Sequence, residues 1–301
     1  MRGTHPKIED RFFSSDGVRL RYVEAGTGEA VILLHGFLGN IENTWIEGYG
    51  AARPDVLPTL ARRCRTIALD ARGHGRSDKP HDPGSYGRHM ADDVVALLDH
   101  LGIDRAHLVG YSMGSLIAAK VMCERPNRLR TVVLGGGLPY VPSLYPDGLP
   151  PALANIAEDL SAGRGMVRYI LASTPKGQYG STRDQAEHIS RLILAPQDVT
   201  ALAAVARAIE GLAVTETQLA ANTIPTLALI GGQDDRLTDI EKVTPIMPNL
   251  RVQIIEGADH ASATTHPEFR RIAEEFLANE QTQRDLKNEC ERRLQAMTEA
   301  G

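Results

Sequence analysis

Residues 106–124 read Ala106-His107-Leu108-Val109-Gly110-Tyr111-Ser112-Met113-Gly114-Ser115-Leu116-Ile117-Ala118-Ala119-Lys120-Val121-Met122-Cys123-Glu124. The run ending at Tyr111 has the length and composition of a buried strand, and Met113 to Glu124 has those of a helix. Ser112 alone separates them, with Gly110 and Gly114 two positions away on either side. So sharp a strand-to-helix bend strains its central residue and crowds the flanking positions, where glycine is needed. It also lifts a hydroxyl above the sheet edge beside a helix N-terminus, where the dipole favours developing negative charge. The bland alternative is a serine that caps a buried helix.

Working outward, short runs rich in Val, Ile and Leu recur at Ala30 to Leu34, Arg65 to Asp70, Thr131 to Leu134, Thr226 to Ile230 and Val252 to Ile255. Helical patterns lie between them at Val56 to Arg63, Tyr86 to Leu101, Asp239 to Met247 and Pro267 to Ala278. Strands alternating with helices predict an α/β fold: a mostly parallel central sheet with helices on both faces. Ahead of the first buried run, Arg11 to Ser14 and Val18 to Glu24 flank Asp16-Gly17, the signal of an antiparallel hairpin. The alternation breaks between Leu138 and Val214, where prolines punctuate helix-like stretches at Ala152 to Leu160, Arg183 to Leu194 and Val199 to Leu212. The expected organisation is a core of 1–137 and 214–279, an inserted helical cap at 138–213, and a charged C-terminal helix or tail at 280–301.

A serine hydroxyl is a weak nucleophile at neutral pH and needs a base within hydrogen-bond reach. His260, in Glu256-Gly257-Ala258-Asp259-His260 directly after the last apolar run, is the best placed. His74 and His107 lie in a turn and at a strand start, and the remaining histidines in polar loops or helices. A third group must be a carboxylate that fixes the imidazole tautomer and stabilises the imidazolium. Asp234 and Asp235 both follow Thr226 to Ile230 through Gly231-Gly232-Gln233, whereas Gly135-Gly136-Gly137-Leu138 after the preceding strand offers no acid. Asp234 is preferred because it completes G-x-x-D counted from Gly231. Acyl transfer also requires two N–H donors aimed at an oxyanion. Met113 supplies one, and Phe37, in His35-Gly36-Phe37-Leu38-Gly39 after Ala30 to Leu34, is expected to supply the second.

Four separated features, His35-Gly36-Phe37, the turn from Asp70 to Asp78, the bend at Ser112 and the pair Asp234 and His260, occur in this order. In these the chain resembles the α/β-hydrolase superfamily, in its serine hydrolase or esterase-like branch with a helical cap, from about Phe12 to Ala278. The resemblance implies a Ser112, Asp234 and His260 triad with a backbone oxyanion hole, a small and mostly apolar carboxylic ester as substrate, and an acyl-enzyme intermediate. A serine at the bend argues against the haloalkane dehalogenase and epoxide hydrolase branches, whose ester intermediate forms on a carboxylate. Many relatives place a second glycine after Gly114, where this chain has Ser115. Residues expected around the substrate are His35, Gly36, Trp45, Tyr140, Tyr145, Met166 and Tyr169, with Leu138, Leu144 and Ile170 as further cap candidates. The same triad also suits a diketone carbon–carbon bond, a lactone, a thioester or an amide, and a hydrolase-like receptor with a vestigial triad is the rival from another class.

The 301 residues are 42% hydrophobic and carry a net charge of −5 without a basic stripe, which excludes a nucleic-acid surface. No cofactor or metal is expected, since neither a dinucleotide loop nor a ligand cluster is present. Cys64, Cys123 and Cys290 read as free thiols in a reducing compartment. The N-terminus lacks an apolar leader and no apolar run spans a bilayer, so no membrane partner and a cytoplasmic location are expected.

Overall fold

The apolar runs pair as neighbours in one sheet. A computed structural model describes residues 8–48, 52–146, 148–149, 151–174 and 176–279; the expected tail at 280–301 and Cys290 lie outside these. The strands are β1 (Arg11–Ser15), β2 (Val18–Ala25), β3 (Ala30–Leu34), β4 (Arg65–Leu69), β5 (Ala106–Tyr111), β6 (Leu129–Gly135), β7 (Thr226–Gly231) and β8 (Leu250–Ile255). They form an eight-stranded sheet in the order β1-β2-β4-β3-β5-β6-β7-β8. β2 runs antiparallel to β1 and β4, and the other neighbours pair in parallel. The opening hairpin turns at Asp16 and Gly17 with φ of 48° and 75°, the two positive dihedrals that make Asp-Gly a hairpin signal.

β3, β5 and β7 are buried along their whole length, as parallel strands covered on both faces must be. Alternate side chains serve opposite faces. Ile32, Leu34, Leu108 and Val132 pack against α1 (Arg88–His100) and α2 (Met113–Glu124). Val31, Leu33, Val109 and Val133 pack against Trp45, Leu57 and Phe269, the last from α7 (267–279). Each such side chain contributes on the order of 1.5–3 kcal/mol, so the sheet is fixed firmly from both sides.

Between β6 and β7 the described residues contain helices and no strand: α3 (Ile156–Ser161), α4 (Val167–Ser173), α5 (Arg183–Leu194) and α6 (Val199–Ala208), the last continued as a tighter turn over Ile209–Leu212. Their own apolar cluster includes Ile156, Leu160, Met166, Ile170 and Leu202, and Phe37 and Leu38 from the loop after β3 pack onto it. That contact ties the helical segment to the end of the sheet where the candidate site lies. α4 has no counterpart among the helices expected from sequence.

Candidate active site

From β3 the chain crosses to β4 on one side and then back past β3 to β5 on the other. Open α/β sheets form their crevice at such a reversal, beyond the C-terminal ends of the strands. The loop after β3 and the bend after β5 therefore meet, although some 70 residues of chain separate them. A Cβ on Gly36 would lie 3.3 Å from the Ser112 Cβ.

Ser112 has φ 53° and ψ −114°, a backbone conformation that costs a side-chain-bearing residue on the order of 1–3 kcal/mol. It persists because the surroundings fix it: its N–H donates to Gly135 O at 2.7 Å. A Cβ on Gly110 would lie 2.2 Å from Gly114 O, and one on Gly114 2.1 Å from Leu34 O. Both glycines are thus required by backbone contact. Ser115, the departure from the family pattern, is buried and its hydroxyl lies 3.1 Å from Gly110 O and 2.9 Å from Gly135 O, so the added polar group is satisfied.

His260 follows β8, three strand positions from β5, or about 14 Å at ordinary strand spacing. Its loop leans back over β7, where Gln233 N–H donates to Ala258 O at 2.9 Å. Tyr111 then holds it from the other side, its hydroxyl donating to the His260 carbonyl at 2.5 Å and its ring lying 5.6 Å from the imidazole. The outcome is a relay of three side chains. His260 Nδ1 lies 2.8 Å from Asp234 Oδ2 and Nε2 lies 3.0 Å from Ser112 Oγ. A carboxylate only accepts, so Nδ1 carries the proton and Nε2 is left to accept from the serine hydroxyl.

Asp234 is buried, and burial works against its charge. The bond and charge of His260, with the Arg236 backbone N–H on Oδ1 at 3.0 Å, outweigh burial and hold the carboxyl below its usual range. Asp235 is exposed overall and makes no bond to His260; partial desolvation of its carboxyl beside the cavity, together with the neighbouring Asp234, pushes its pKa up. Burial, followed by the Asp234 charge, raises the Tyr111 phenol well above its ordinary value, so it remains a donor.

Among the described residues, neither the Phe37 nor the Met113 N–H donates to a backbone carbonyl, and both residues line the same cavity as Ser112 and His260. His74 shapes this loop, its Nε2 lying 2.6 Å from Phe37 O and Nδ1 3.0 Å from Arg72 O. Burial, aided by His35, lowers its pKa to about 4. His35 is also buried with a lowered pKa, accepts from Ala71 N–H on Nε2 at 3.0 Å and donates from Nδ1 to Gly36 O at 2.8 Å.

The cavity holds about 500 Å³ between the end of the sheet and the helical segment. Gly36, Tyr140, Tyr145, Met166 and Tyr169 line it, as do Leu138 and Ile170. Three expectations are corrected. His35 lies beneath the loop, fully committed to backbone partners. Trp45 is completely buried in the core under the sheet, and Leu144 packs on the main core rather than the cavity.

The model of the alpha/beta hydrolase fold family matches residues 29–183, more than half of the chain. The chain belongs to the α/β-hydrolase fold family. Along nearly its full length this α/β-hydrolase is similar to the 2-hydroxy-6-oxo-6-(2'-aminophenyl)hexa-2,4-dienoic acid hydrolase of Metapseudomonas resinovorans, with 30% identity over 282 residues, 89% of this chain and 91% of that relative. It is 37% identical to epoxide hydrolase 2 of Siraitia grosvenorii over 128 residues, which are 42% of this chain and span only 38% of that relative. In the solved structure of Est816, an N-acyl homoserine lactone degrading enzyme, the likeness of fold has a TM-score of 0.69 at 24% identity, covering 88% of this chain and 100% of that one.

Sequence reasoning missed two residues of the hydrolase's candidate site. Tyr111 is the unspecified position of G-x-S-x-G, and its partner lies 149 residues away, beyond any local signal. Arg236 lines the cavity two positions after Asp234; its only sequence signal was that proximity.

Proposed function

We propose that the chain is a serine hydrolase that cleaves a small carboxylic ester through an acyl-enzyme intermediate. The observation that carries this reading is the single imidazole bonded at once to Ser112 Oγ and Asp234 Oδ2. His260 Nε2 takes the Ser112 proton as Oγ attacks the ester carbonyl, and the electron pair displaced onto the carbonyl oxygen is received by the Phe37 and Met113 N–H groups. The imidazolium, stabilised by Asp234, returns the proton to the leaving alkoxide as the C–O bond breaks. Water then attacks the acyl-Ser112 ester, giving its proton to His260, and Ser112 Oγ leaves with that proton. The helical segment acts as a cap that closes an apolar pocket over this chemistry.

The nearly full-length similarity to a hydrolase of a 6-oxo dienoic acid favours one second reading, in which the same three residues attack a ketone carbonyl and a carbon–carbon bond breaks. The epoxide hydrolase branch fits less well, because Ser112 stands where that chemistry uses a carboxylate.

Turnover of short-chain p-nitrophenyl esters by the wild type, lost in Ser112→Ala, together with fluorophosphonate labelling of Ser112, is the expected result. A panel of diketones discriminates the second reading. A wild type that turns over no substrate, resists the probe and yet binds ligand refutes both and favours a receptor.

A further inference from the structure

Among the described residues that line the cavity, Arg236 is the one lysine or arginine. A guanidinium never deprotonates in a protein, and withdrawing one from water without a partner costs several kcal/mol. Arg236 nevertheless forms no ion pair with any described carboxylate, and its Nε is buried with no hydrogen-bond partner. The charges of Asp235 and Asp234 act on it, but none of the nearby acids pairs with it directly. Asp234 serves His260 through Oδ2 and the Arg236 backbone through Oδ1. Asp239 accepts from Lys242, and Asp259 Oδ1 from Ala261 N–H and from the N–H and hydroxyl of Ser262. Asp235 is exposed overall.

Two further polar groups face the same space. Tyr169 lies close enough to act on the guanidinium, and Ser173, four residues along α4 and so on the same helix face, has a buried hydroxyl with no partner. Tyr169, Ser173 and Arg236 all line the cavity. A cavity with a largely apolar lining thus contains one cation that forms no ion pair and offers a planar fork of donors, and the hydroxyls of Tyr169 and Ser173 line the same cavity. That donor set matches a carboxylate, which accepts two parallel N–H bonds from a guanidinium.

We propose that Arg236, with Tyr169 and Ser173, is a carboxylate subsite, and that the substrate is an acid whose carboxylate seats there while its scissile carbonyl reaches Ser112. This narrows the mostly apolar ester expected above to one with an anionic end, such as the half-ester of a dicarboxylic acid. Its kinetic test rests on the ester-hydrolase reading; its binding test does not.

The p-nitrophenyl half-ester of glutaric acid and p-nitrophenyl valerate share an acyl chain length and differ in the terminal carboxylate. The expected ratio of kcat/KM, acid over neutral, exceeds one in the wild type, falls at least tenfold in Arg236→Met, mainly through KM, and lies between in Arg236→Lys. In parallel, calorimetry on Ser112→Ala should find saturable binding of monomethyl glutarate, not of methyl valerate, and that binding should vanish in Ser112→Ala/Arg236→Met. If Arg236→Met fails to fold, Arg236→Lys and Tyr169→Phe make the same comparison. A ratio that stays constant across the variants, with binding indifferent to the carboxylate, overturns the subsite. Arg236-dependent binding of monomethyl glutarate without turnover of either ester upholds the subsite and sinks the esterase reading instead.

Discussion

Ser112→Gly should leave the protein more stable than Ser112→Ala, even though alanine is ordinarily the better-tolerated residue. At φ 53° and ψ −114° the alanine retains the backbone strain of the native serine, about 2 kcal/mol at mid-range. Glycine relieves it, but returns about 0.75 kcal/mol through its greater freedom in the unfolded chain. Losing a half-buried methyl forfeits about 0.4 kcal/mol more. The balance is about 1 kcal/mol in favour of glycine. Both variants lack the hydroxyl, so the bond to His260 cancels from the comparison and the backbone remains. Equilibrium urea unfolding with a slope near 3 kcal/mol/M turns this into a midpoint about 0.3 M higher for Ser112→Gly. A glycine midpoint at or below that of alanine would refute the strain argument, and with it the claim that a rigid sheet holds this hydroxyl in an unfavourable conformation.

Three other outcomes follow from the same contacts. Asp234→Asn should lower ester kcat about a thousandfold or more while the fold is kept, since an amide no longer enforces the Nδ1–H tautomer; Asp235→Asn should change it less than about threefold, and equal losses would mean the wrong acid has been chosen. Tyr111→Phe leaves the His260 carbonyl without its donor and should lower kcat more than it raises KM. His74 has a native pKa of about 4 against about 6.5 unfolded; in that window the unfolded chain binds a proton the native one does not, so stability falls as pH drops. The loss between pH 7.5 and 4.5 is about 2–3 kcal/mol, and pH-dependent urea midpoints of His74→Gln should show a correspondingly flatter slope.

Strands β3 to β7 were legible because parallel strands covered on both faces must be apolar throughout, and helix α5 begins and ends where its periodicity does. α4 was not, since seven residues beside glycines carry too little pattern to register. For Trp45 the sequence left a place beside the substrate and a partly buried core role equally open. Asn40 and Asn43 form a reciprocal cap on a short helix, Ile41–Trp45, that turns the indole into the core. The serine and histidine were readable from the chain order of strand ends. The choice between adjacent aspartates depended on a single turn, in which Asp234 caps the Arg236 N–H and Asp235 is exposed overall. Arg236 escaped notice because a charge in a polar loop looks solvated until a helical segment is folded over it.

The two halves of the candidate site are held in place by different physics. The bend at Ser112 and the loop bearing Phe37 meet because β3 and β5 are hydrogen-bonded neighbours, and glycine contacts leave the backbone no room to shift. His260 must instead cross the ends of β7 and β6 on a loop whose ties include the bonds from Gln233 and Tyr111. Perturbing the first half disturbs the sheet and so reduces stability; loosening the second moves the imidazole by fractions of an ångström at little cost to the fold. Substitutions around Tyr111, Gln233 and Ala258 should therefore lower the rate of the reaction before they lower the melting temperature, whereas changes at Gly110 or Gly114 should do the reverse.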